Sequence, residues 1–252
     1  MTEPSSEPGA VSEPGTASVD APGSTAKHKS KKDSGKAPLP VWQESLLLLA
    51  IALVLAIGIK YFFVQAFYIP SESMEPLFIK NDRILVQKVS YWGGKDPKRG
   101  DIIVFKDPGG WLDESETRTA SNPLTKGLEA IGLYPSGGHL VKRVIGIGGD
   151  RVVCCDAKGR ITVNGKALDE PYLPKNVLPS DDKFDIRVTQ GHLWVMGDNR
   201  SNSSDSRLHL GQPGGGMVST DLVVGKVWAL IWPWKRAERI HTPETFKDIP
   251  NP

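Results

Sequence analysis

The chain has 252 residues, enough for one domain of ordinary size with additional segments. Its formal net charge of +2 excludes the strongly basic balance that marks nucleic-acid binding. The 26 Gly and 20 Pro favour short strands and turns over long helices. Only two cysteines are present, Cys154 and Cys155, and their adjacency excludes a disulfide framework and makes a poor metal site. A vicinal disulfide and a pair of packed free thiols both stay open.

In chain order, residues 1–40 come first. They lack Phe, Trp and Tyr and are rich in Ser, Pro, Gly, Glu and Lys, so they bury too little apolar surface to offset the entropy of ordering. A disordered tail is expected there, ending in the lysine cluster Lys27–Lys36. Val41 to Phe63 is then almost wholly apolar. As a helix it extends roughly 34 Å at about 1.5 Å per residue, enough to cross a bilayer. Its apolar character all round and the preceding lysines favour a membrane span over a buried core helix. Positive residues stay inside, which places the N-terminus in the cytoplasm and the rest outside a plasma membrane. Val64-Gln65-Ala66 has small residues where a signal-peptide cleavage site needs them. The apolar run is longer than an ordinary signal sequence, however, so an uncleaved anchor is expected.

After Phe67 the texture is that of an all-β domain. Arg83–Val89, Ile102–Lys106, Leu140–Ile147, Arg151–Val153, Arg160–Val163, His192–Met196 and Val223–Trp232 are short runs rich in Val and Ile. Turn signals at Gly93-Gly94, Gly148-Gly149-Asp150 and Asn164-Gly165 separate them. Residues 107–138 read as an insertion with a short helix over Asn122–Ile131. The expected division is a tail over 1–40, a transmembrane helix over 41–63, a β domain over 64–234 and a polar tail over 235–252.

Three segments carry chemistry. In Pro70-Ser71-Glu72-Ser73-Met74-Glu75-Pro76, two serines stand between prolines just after the anchor. Alone this is an ordinary turn. In Leu140-Val141-Lys142-Arg143-Val144, a lysine interrupts an apolar strand. Turned inward, its amine is disfavoured in the charged form and becomes able to take a proton from a serine hydroxyl; turned outward, it marks a solvent face and a salt bridge. The loop from Gly197 to Arg207 is dense in Asp, Asn, Ser and Arg, suited to one hydrogen-bonded network, and equally compatible with a solvated loop or a weak cation site.

These segments, together with Arg99-Gly100-Asp101-Ile102-Ile103-Val104-Phe105, stand in one order behind one apolar span. So arranged, the chain resembles the type I signal peptidases of bacteria over roughly Trp42 to Pro233. The resemblance implies a mainly β catalytic domain behind a single N-terminal transmembrane helix. It also implies a serine endopeptidase that removes signal peptides from secretory preproteins. By resemblance Ser73 is the nucleophile, Lys142 the general base, and Ser71 an oxyanion-hole hydroxyl acting with the Ser73 N–H. Ser203 orients the lysine, and Asp205 with Arg207 forms a structural ion pair. Shallow apolar pockets accept the small residues of a small-x-small cleavage site. Ile69, Pro70, Met74, Phe78, Leu140 and Val141 line the first, and Phe67, Ile69, Ile84, Val104 and Val141 the other. The chemistry implies no cofactor and no metal; the expected partners are preproteins and membrane lipid, with no nucleic acid.

Two departures from the family pattern stand out: Gly148 where proline is usual, and Ser201 where Asp is frequent. Neither falls in the proton path. A Ser-His-Asp arrangement needs a histidine oriented by a carboxylate, and nothing in the sequence prefers His28, His139, His192, His209 or His241 to Lys142. The rival readings are a Ser/Lys protease of the self-cleaving repressor type, which calls for a DNA-binding helix pair, and a single-pass protein whose β domain binds a partner.

Overall fold

A computed structural model of the chain describes residues 40–112, 122, 137–175 and 177–252. The expected tail up to residue 39 lies outside these, as does the helix expected over Asn122–Ile131 apart from Asn122. Helix α1 covers Val41–Phe63. None of Val41–Ile59 is buried, and the stretch is long and apolar enough to cross a membrane. A buried core helix does not expose Leu46–Leu49 and Leu53–Leu55 in this way.

Beyond α1 the described residues form twelve strands. They are β1 (Val64–Tyr68), β2 (Arg83–Gln87), β3 (Ile102–Lys106), β4 (His139–Ile147), β5 (Arg151–Cys154) and β6 (Ile161–Val163). Then follow β7 (Lys166–Ala167), β8 (Phe184–Arg187), β9 (His192–Met196), β10 (Val218–Ser219), β11 (Val223–Trp232) and β12 (Glu238–Arg239). They build two antiparallel sheets. The larger has the order β1-β2-β11-β3-β4-β9-β10, with β12 also on β11; the smaller has the order β7-β6-β5-β8. The chain is thus mainly β behind one apolar helix, as expected.

Side-chain alternation explains the strands that the Val and Ile runs reveal. In β3 both faces are buried: Ile102 and Val104 enter one apolar cluster, while Ile103 and Phe105 enter another. Strand β4 does the same over a longer course, with Leu140 and Val144 on one side and Ile145 on the other. The Asn164-Gly165 turn closes the β6–β7 hairpin with φ of 50° and 80°, the left-handed pair a two-residue hairpin requires. Strands β1, β7, β8, β10 and β12 have no counterpart among the runs read from the sequence: β1 has a single Val and follows the apolar helix without a break, and the others are very short or broken by charge. Cys154 and Cys155 are joined as a vicinal disulfide.

The segment after Trp234, expected as a polar tail, is part of the domain. Strand β12 pairs with β11, and Phe246 and Ile249 are buried in the cluster beneath the smaller sheet. Arg99 donates to the carbonyls of Ile249 and Pro250 at 3.4 and 3.3 Å while holding Asp150 through two hydrogen bonds of 2.7 and 2.6 Å. Gly100, at φ 81°, makes room for this segment: a Cβ there would lie 2.6 Å from Cδ2 of Phe246. Removing the Phe246 ring should therefore behave as a core truncation. Phe246→Ala is expected to lower stability by about 3 kcal/mol, within the usual Phe→Ala range. Urea unfolding measures it, and an unchanged midpoint would mean the segment is detached in solution.

Candidate active site

Ser73 lies on the turn after β1, pinned from both sides. Ile69 and Met74 are sunk in the apolar cluster with Phe78, and the Ile69 N–H donates to the Asp82 carbonyl at 2.9 Å. Lys142 lies in β4 opposite Ile103 of β3. The two meet: Lys142 Nζ donates to Ser73 Oγ at 2.7 Å, with 3% of the lysine and 8% of the serine exposed. Ser71 Oγ lies 3.3 Å from Ser73 Oγ.

The loop from Gly197 to Arg207 closes over this pair. The Asn199 N–H donates to the Ser73 carbonyl at 3.0 Å. Gly197 passes so close that a Cβ would lie 2.2 Å from Ser203 Oγ and 2.4 Å from the Ser73 carbonyl oxygen. Only a residue without a side chain fits. Ser203 Oγ is buried and has no hydrogen-bond partner among the described residues; it lies close to the Ser73 backbone but is not bonded to the Lys142 amine. Asp205 and Arg207 form a bidentate pair at 2.9 and 2.8 Å, both buried. Burial alone pushes the Asp205 carboxyl up. The Arg207 guanidinium and the Gly197 N–H outweigh this and hold it below its ordinary value, with a smaller contribution from Ser203 outside hydrogen-bond geometry.

Two further buried pairs frame the loop. Arg143 grips Asp198 at 2.8 and 2.6 Å, with its guanidinium 4.1 Å above the Tyr172 ring. Arg200 grips Glu170 at 3.1 and 2.5 Å and donates to the Gly197 carbonyl at 2.9 Å. Burial, and then the Glu170 charge, push the Tyr172 phenol well above its ordinary value, so it stays a donor to Glu170. Sequence reasoning left Arg143, Asp198, Arg200, Glu170 and Tyr172 unassigned. The charges flanking Lys142 and inside the loop were the signal.

Ser73 and Lys142 open onto a cleft of about 700 Å³. Phe67, Ile69, Pro70, Met74, Val104, Leu140 and Val141 line it, all of them expected pocket residues. Phe78 and Ile84 do not: both are fully buried in the cluster beneath, Phe78 from the turn after Ser73 and Ile84 from β2, and the resemblance that named them carries no information on depth. Trp111 and His139 also line the cleft and were not foreseen there. Trp111 comes from the start of the expected insertion, stacked on His209 at 4.4 Å.

The family described as signal peptidase, peptidase S26, matches residues 42–232. The chain belongs to this signal peptidase family. Its relatives agree, as does the resemblance carried by the four motifs. A probable signal peptidase I of Mycobacterium leprae is 37% identical over 232 residues, covering 78% of this chain and 80% of that protein. Signal peptidase I of Mycobacterium tuberculosis is 35% identical over 244 residues, covering 86% and 82%. A probable signal peptidase I-2 of Synechocystis is 35% identical over 206 residues, covering 82% and 79%.

The geometry of this signal peptidase site yields two predictions. Gly197→Ala should force the loop away from Ser73, costing about 1–3 kcal/mol by overpacking. Denaturant titration checks it, and a variant as stable as the parent would contradict the close approach. Asp205→Asn leaves Arg207 buried and unpaired, which typically costs about 3–5 kcal/mol. The Asp205 carboxyl is depressed in the folded state, so its contribution is fully present above the unfolded carboxyl value of about 3.9. It is lost as pH falls through the lower folded value. Asp205→Asn should therefore be less stable at neutral pH and should show a shallower loss of stability in acid, measured by melts across pH.

Proposed function

We propose that the chain is a membrane-anchored serine endopeptidase that removes signal peptides from secretory preproteins, with Ser73 as nucleophile and Lys142 as general base. The observation that carries this is the 2.7 Å contact between Lys142 Nζ and Ser73 Oγ, buried at the edge of an apolar cleft. Desolvation penalises an ammonium, and a neutral amine at that distance is placed to accept the serine proton. Ser73 Oγ attacks the scissile carbonyl carbon as its proton passes to Lys142. The oxyanion is taken up by the Ser71 hydroxyl and the Ser73 N–H. The carbon–nitrogen bond then breaks, Lys142 returns the proton to the leaving amine, and an ester to Ser73 remains. Water, deprotonated by Lys142, hydrolyses that ester and restores both groups.

Other roles follow from the same reading. In this reading the Ser203 hydroxyl, which has no other partner among the described residues, turns toward the amine to orient it, and the Asp205–Arg207 pair keeps the loop in register. The apolar wall of Phe67, Ile69, Val104, Leu140 and Val141 suits the small side chains of a small-x-small site, since bulky ones overpack a shallow pocket. Helix α1 anchors the enzyme in lipid. The lysines between Lys27 and Lys36 place the N-terminus in the cytoplasm and the catalytic domain outside.

The test is cleavage of a labelled preprotein by the detergent-solubilised chain. Ser73→Ala and Lys142→Arg should each lower the rate by at least about 1,000-fold, as removal of one member of a catalytic pair does elsewhere. Arginine keeps the positive charge but does not deprotonate in proteins. Cleavage by Lys142→Arg near the parental rate would remove Lys142 from the role of base.

A further inference from the structure

The proposed oxyanion hole uses one backbone N–H, that of Ser73, and an N–H is aimed only as well as its peptide plane is held. The Glu72–Ser73 peptide is trans. Its carbonyl and its N–H therefore point in opposite directions from one rigid plane. Whatever holds the Glu72 carbonyl also directs the Ser73 N–H.

Asn199 holds it. Its Nδ2 donates to the Glu72 carbonyl at 3.1 Å, and its backbone N–H donates to the Ser73 carbonyl at 3.0 Å. One residue thus grips the peptide planes on both sides of the Ser73 Cα. The amide is oriented for this: Ser201 Oγ donates to Asn199 Oδ1 at 3.3 Å, which turns Nδ2 toward Glu72. The backbone beneath Asn199 is anchored on both sides, by Asp198 in its grip with Arg143 and by Arg200 in its grip with Glu170.

We infer that Asn199 is the positioning residue of the oxyanion hole, aiming the Ser73 N–H through the Glu72 carbonyl. The inference rests on the Ser73 mechanism proposed above. A hydrogen bond to the carbonyl also polarises the amide, which strengthens its N–H as a donor. The Glu72 carbonyl is near solvent, so water replaces the lost donor in a variant. Water has no fixed direction, and the loss therefore falls on the transition state rather than on folding.

The experiment compares Asn199→Ala and Asn199→Asp with the parent as full-length protein in detergent. The aspartate keeps the shape but, when ionised, has no proton to donate. Losing an oxyanion donor outright costs about 100–1,000-fold in kcat, so misaiming one should cost about 10–100-fold. KM should change by less than about threefold, since only transition-state binding is lost. A peptide aldehyde whose serine adduct places an oxyanion in the hole should weaken in parallel with kcat, while the matching peptide amide binds as before. Melting temperatures near the parental value complete the expected result.

Full kcat in both variants, a rise in KM at unchanged kcat, or unweakened aldehyde binding beside a reduced kcat would each overturn the inference. Ser73→Ala separates the two levels. Cleavage by that variant would overturn the mechanism and this inference with it. An inactive Ser73→Ala beside a fully active Asn199→Ala would overturn the inference alone.

Discussion

The catalytic pair proposed above needs an amine that loses its proton near neutral pH and so is kept from water, and the architecture around Lys142 suits that requirement. Strand β4 is buried on both faces, so a lysine in it emerges among apolar neighbours instead of solvent. Ser73 is brought to it by a turn whose flanking residues Ile69 and Met74 are fixed in the apolar cluster. Neither group holds the other by attraction of opposite charges: the bond runs from Nζ to a hydroxyl. Position has to come from elsewhere.

It comes from arginines. Arg143, Arg200 and Arg207 each meet a carboxylate through two hydrogen bonds; one pair lies within the loop that closes on Ser73 and two tie it to Arg143 and Glu170 outside it. Burying such pairs adds little net stability, but breaking one is costly, so they favour one arrangement over its neighbours. The Gly197 peptide shows the effect: its N–H goes to Asp205 and its carbonyl to Arg200. That peptide can then run against Ser73 and Ser203 where a single methyl group does not fit.

Much of this was legible in the sequence and some was not, for physical reasons. Val- and Ile-rich runs declared β2, β3, β4, β9 and β11 because burial on one or both faces demands such residues. Strand β8, Phe-Asp-Ile-Arg, alternates apolar with charged residues over only four positions and offers too short a pattern. Phe246 and Ile249 stand alone in polar surroundings, so only the folded chain shows that they complete a core. The serine–lysine contact joins positions 69 apart and the Arg143–Asp198 pair positions 55 apart. The motifs named the first; for the second, a charge beside Lys142 and a charge in the loop were visible, but nothing local paired them. Adjacent cysteines were compatible with two states, and the fold joins them.

One feature of the backbone bears on where the enzyme works. Helix α1 ends at Phe63 and β1 begins at Val64, with no loop between them. With the helix as anchor, the strand becomes a rigid post rather than a tether. A strand rises about 3.3 Å per residue, so the ten steps from Phe63 to Ser73 limit the distance of Ser73 from the helix end to about 35 Å. Under the anchoring and mechanism proposed above, that spacing would act as a ruler, so that height above the bilayer, as much as side-chain size, selects which bond of a passing chain comes within range.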